Sequence, residues 1–152
     1  MTAAPRTPRQ MARVLLAAVD ESLALALVRR GTNGLRQETA RLLEQDFNRL
    51  ILTSRAGAEA AARAAAAIAV VDRGDVARAR AWRMAGILDH LAGRPRVAVR
   101  RLALAAVAFQ KTRMCLEAGD VHRTLVDVHM RAGNDRDARS AARRALSCYR
   151  RA

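Results

Sequence analysis

The stretch RAWRMAGILDHLAGRPRVAVRRLALA, residues 80–105, decides the fold. It holds the chain's only tryptophan, Trp82, then Gly86 and Gly93, and Ala98 five residues after the second glycine. Gly93 ends one helical run, and Pro95 opens the next at the first-turn position, where the missing N–H has no helical partner to lose. Two helices joined by so short a turn fold back on each other as a hairpin. They can approach to about 8 Å only where small side chains meet, and helical spacing keeps Ala98 and Ala105 on one stripe. Trp82 is expected to fill the wedge between the two helices.

Outward from this hairpin, helix signals dominate, because Ala, Leu and Arg are strong helix formers and no β-branched alternation interrupts them. Thr7 as cap and Pro8 predict a helix over 8–30, and GTNG at 31–34 is a turn. Further helices are expected over 35–54, 58–73, 76–91 (capped by Asp75) and 95–117. Gly119 is expected to end the fifth, Asp120 to cap a short helix to 131, and Gly133–Asn134 to turn the chain into a last helix over 135–151. The fold class is therefore all-α, about seven helices, with antiparallel hairpins stacked as a short α-solenoid. The expected organisation is a flexible tail (1–7), an N-terminal helix and turn (8–34), and three hairpins over 35–151 (35–73, 75–117 and 120–151). Gly57, Gly93 and Gly133 set the interval, with Ala62, Ala98 and Ala138 five residues later and Ala69, Ala105 and Ala145 seven further on. LALAAVAF, at the centre of the fifth helix, is apolar all round, as expected of a helix sandwiched in a stacked array. The competing arrangement is an irregular bundle of alanine-rich helices.

Trp82, Gly86, Gly93, Ala98, Leu102 and Ala105 resemble, in order, the hairpin pattern of the tetratricopeptide repeat family. The last unit is similar through Leu125, Gly133, Ala138, Ala142, Ala145 and Leu146, with His122 in the aromatic position, and the first through Leu50, Gly57, Ala62 and Ala69. It departs in its 40-residue interval and in Asp89 and His129, where the family carries tyrosine. The resemblance implies a binding groove lined by the first helix of each hairpin. Carried over, the groove residues are Arg80, Arg83 and His90 in one unit and Arg123, Asp127 and Arg131 in the next. Arginines stacked in this way suit a carboxylate-rich peptide. Ile87 and Asp127 stand where carboxylate-clamping members keep asparagine, so a terminal carboxylate is not the ligand implied.

Composition narrows the partner. The 28 basic residues against 14 acidic give a net charge of +14, and the excess is spread along the chain: +3 over 1–54, +7 over 55–117 and +4 over 118–152. Such a surface attracts anionic partners, less strongly as salt rises. In the last helix Arg136, Arg139, Arg143 and Arg150 form a stripe opposite Ala138, Ala142, Ala145, Leu146 and Tyr149. That stripe suits phosphates, although aromatics for stacking bases are scarce. No apolar run is long enough to span a bilayer, and Cys115 and Cys148 make no disulfide framework, which points to the cytoplasm. Cys115, His122 and His129 are seven apart, too sparse for a zinc site and interrupted by Gly119. No catalytic motif occurs, and Asp89 and His90 face different sides of their helix. The reading is a non-enzymatic, cytoplasmic scaffold or adaptor of bacterial type, with no cofactor and no metal. It is expected to bind another protein or an acidic peptide, either as a homo-oligomer or as the repeat portion of a larger regulator. The alternative is a nucleic-acid-associated transcriptional regulator.

Overall fold

A computed structural model describes residues 5–18 and 20–152; of the expected tail, residues 1–4 lie outside the described residues. The chain is all-α. Eight helices are present among the described residues: α1 (Pro8–Ala17), α2 (Glu21–Arg29), α3 (Asn33–Thr53), α4 (Arg55–Asp72), α5 (Asp75–Leu91), α6 (Pro95–Lys111), α7 (Cys115–Arg131) and α8 (Asp135–Tyr149). Helices joined by short turns pack in consecutive pairs, α3 on α4, α6 on α7 and α7 on α8, the pattern of a helical-repeat solenoid. Two compact units divide the chain, residues 1–81 and 82–152, with α5 contributing its first turns to one and the rest to the other.

From α4 onward the helices begin at residues 55, 75, 95, 115 and 135, a constant step of 20. The turns explain it. Arg73, Gly93, Arg113 and Gly133 all adopt positive φ, between 54° and 72°. At the last three the same pair of hydrogen bonds closes the helix. Gly93 N–H donates to His90 O and Arg94 N–H to Asp89 O; Arg113 and Met114 repeat this on Gln110 and Phe109, and Gly133 and Asn134 on Met130 and His129. This double closure is the Schellman ending, which requires a left-handed residue just past the helix.

That register corrects four expectations. The helix expected over 8–30 is two, because Asp20 caps α2 by accepting from Ser22 N–H, so eight helices stand where about seven were expected. Gly57 is no turn: it lies in the first turn of α4, its N–H bonded to the capping Ser54 Oγ, so the buried Ala58, not Ala62, is the counterpart of Ala98 and Ala138. Gly119 ends no helix. It lies inside α7, where a Cβ would stand 2.6 Å from the Tyr149 ring, so its lack of a side chain lets α8 close onto α7. The real boundary is Arg113, between α6 ending at Lys111 and α7 starting at Cys115. Finally, α6 is not buried all round. Ala98, Leu102, Ala105, Ala106 and Phe109 are buried, whereas Val97, Leu104 and Val107 are exposed.

In the first unit, α1 and α2 lie on the α3–α4 hairpin and bury Met11, Leu15, Val28, Leu43 and Ile68. A Thr7–Gln10 capping box opens α1. In the second unit Leu102 of α6 packs against Gly86 of α5, where a Cβ would meet Leu102 Cγ at 2.8 Å. Trp82, expected to be the wedge, is half-buried. Asp89, 1% exposed, ties the hairpin turn by accepting from Arg94 and Arg101, both at 2.6 Å.

Candidate functional site

The six residues expected to line a groove separate. Arg80 is 8% exposed, and its Nε donates to Glu44 Oε2 at 2.9 Å, joining α5 to α3 inside the first unit. It serves stability there, and its guanidinium is not offered to solvent. Arg83 is half-buried. His90, Asp127 and Arg131 come together: His90 Nε2 lies 2.8 Å from one oxygen of Asp127, and Arg131 Nε donates to the other at 3.2 Å. Burial alone would raise the Asp127 pKa, but the hydrogen bond from His90 and the charge and hydrogen bond of Arg131 outweigh it and hold the carboxyl below its ordinary value.

Arg123, one turn before Asp127, has a side chain 73% exposed and approaches Asp120 no closer than 3.9 Å. The Asp120 oxygen it faces already accepts from Tyr149 Oη at 2.8 Å. Partial burial and that donation raise the Tyr149 pKa, outweighing the opposing charge and hydrogen bond of Arg123. Arg123 and Arg131 are thus exposed cations on the solvent side of α7, separated by a carboxylate engaged by His90 and Arg131.

A second constellation lies on another face of α7 and was not assembled by sequence reasoning. Val99 and Ala103 from α6, His122, Leu125 and His129 from α7, and Asp137, Ser140, Ala141 and Arg144 from α8 line a cleft of about 190 Å³. The seven-residue spacing of His122 and His129 was the available signal, but expecting a break at Gly119 hid the continuous helix that presents both. His122 is 4% exposed. The Gln110 side-chain amide nitrogen stands 3.2 Å from His122 Nε2. His122 Nδ1 and His129 Nδ1 are buried without a hydrogen-bond partner. Among the described residues no three His, Cys, Asp or Glu side chains are placed to share a metal ion, and no helix is long and apolar enough to cross a membrane.

Burial, and secondarily the charge of Arg144, lower the His122 pKa. As the pH falls below about 6.5, the unfolded chain takes up a proton that the folded chain refuses, so stability is complete above that value and declines toward the lowered one. Chemical denaturation between about pH 7.5 and 5 is expected to show this decline, and His122→Gln to flatten it. An unchanged slope in the variant would mean that His122 is protonated in the folded state.

The chain matches no known protein family, no curated protein and no solved structure.

Proposed function

We propose that the protein is a non-catalytic scaffold of tetratricopeptide type, cytoplasmic and bacterial in character, that binds an acidic segment of a partner protein through the exposed face of α7. The observation that carries this reading is Arg123, largely exposed, beside the Tyr149 hydroxyl and no closer than 3.9 Å to Asp120. An incoming carboxylate can take the exposed part of the Arg123 guanidinium in competition with the Tyr149 hydroxyl and Asp120, and a charged acceptor binds it more strongly than a phenol does. Arg131, two turns further along α7, supplies a second cation at a spacing that suits an extended acidic segment. The net charge of +14 adds long-range attraction to both. Membership of a larger regulator agrees with this reading, since a repeat segment presents a surface and leaves chemistry to other domains.

A fluorescent peptide rich in Glu and Asp, titrated with the protein at about 0.05 and 0.15 M salt, tests it. Binding should weaken about tenfold or more in the Arg123→Glu/Arg131→Glu variant. Equal affinity of variant and parent at both salts would sink the reading. The exposed stripe Arg136, Arg139, Arg143 and Arg150 on α8 favours a second reading, association with nucleic acid. Duplex DNA binding with a steep salt dependence, lost on replacing the α8 arginines and kept in the α7 variant, would favour that alternative.

A further inference from the structure

The cleft over α7 combines features that a solvated helix face has no use for. His122 is nearly inaccessible, and its Nδ1 is buried without a hydrogen-bond partner; with Nε2 accepting from the Gln110 amide, Nδ1 carries the ring proton and has nothing to donate to. Buried N–H groups find acceptors as a rule, so an orphaned one at a cleft calls for an acceptor from outside the chain. His129, two turns along the same face, presents a second buried Nδ1 without a partner. Across the cleft α8 supplies the Ser140 hydroxyl and the Arg144 guanidinium. The Arg144 charge is felt at His122, where it opposes formation of an imidazolium, and a potential that repels a cation there favours an anion.

We propose that this cleft binds a carboxylate carried on a short apolar stem, of which the glutamate side chain is the pattern. The stem has Val99, Leu125 and Ala141 to lie against, and the carboxylate has the His122 Nδ1–H, the Ser140 hydroxyl and Arg144 as donors. The volume of about 190 Å³ admits such a group. Asp137, also lining the cleft, offsets the Arg144 charge and so selects a monoanion over a phosphate dianion. Because His122 and His129 lie on a different face of α7 from Arg123 and Arg131, the site stands or falls independently of the acidic-segment surface.

Imidazole proton–carbon NMR spectra of the full chain, titrated with sodium propionate against sodium chloride at equal ionic strength, test this assignment. Saturable shifts at His122 and His129 are expected in the millimolar range, with His90 unmoved. Arg144→Gln should weaken binding about tenfold, whereas Arg136→Gln should not. Arg144 is exposed, so the substitution leaves the fold intact, which circular dichroism checks. A parallel titration with N-acetyl-glutamate amide separates the sources: binding of both probes assigns a peptide side chain, and binding of propionate alone a free small acid. Shifts that are linear and matched by chloride, an unchanged affinity in Arg144→Gln, or tighter binding of inorganic phosphate would each overturn the proposal.

Discussion

Replacing Leu102 by alanine is expected to destabilise the protein by about 3–4 kcal/mol, because the side chain is fully buried and a cavity remains where it seats on α5. Its partner is the backbone at Gly86, which makes the pair testable as a cycle. Gly86→Ala alone gains helix propensity, worth about 1 kcal/mol, but places a methyl 2.8 Å from Cγ of the fully buried Leu102, which must shift to admit it. Overpacking of this kind costs about 1–3 kcal/mol, so the single substitution is expected to destabilise on balance. In the Gly86→Ala/Leu102→Ala double variant the new methyl enters the vacated space. The double should therefore be more stable than the sum of the singles predicts, by about 1–2 kcal/mol. Urea unfolding of the four proteins measures this, and strict additivity would show that α5 and α6 do not nest through this contact.

An effect of similar size is expected at Arg80. Its side chain and that of Glu44 are both about nine-tenths buried, and they meet at 2.9 Å. Arg80→Met takes a cation away from a poorly solvated carboxylate and should cost about 3 kcal/mol. Replacing both, as Arg80→Met/Glu44→Leu, removes the two buried charges together and should recover most of that loss. Thermal unfolding of the single and double variants distinguishes this buried pair from a surface cation, whose loss costs about 1 kcal/mol or less. Acidic-peptide affinity should be untouched in the double variant, since Arg80 is turned into the first unit and away from solvent. A loss of peptide binding without loss of stability would return Arg80 to the binding surface.

Much of the fold was legible residue by residue. Pro95 after Gly93, and Asn134 after Gly133, mark helix boundaries that the backbone confirms, because glycine adopts a left-handed ending with no steric penalty. The same ending at Arg113 was not legible. An arginine there carries no turn signal and occupies the position only because both flanking helices are held by their packing. Gly119 misled for the complementary reason: a glycine read as a stop is instead a place where another helix comes close, and nothing local tells the two apart. Of the expected site residues, His90, Asp127 and Arg131 are brought together, while Arg80 is drawn inward by Glu44, 36 residues away.

The sequence by itself determined the all-helical class and the hairpin at residues 80–105, because propensity, caps and turn residues act over a few neighbouring positions. It also determined the excess of arginine over acidic groups, which no folding can remove. Tertiary structure alone decided the uniform 20-residue step, the pairing of Arg80 with Glu44, and the cleft that gathers His122, His129, Ser140 and Arg144. Each depends on which faces of distant helices meet, and that is settled by packing between segments far apart in the chain.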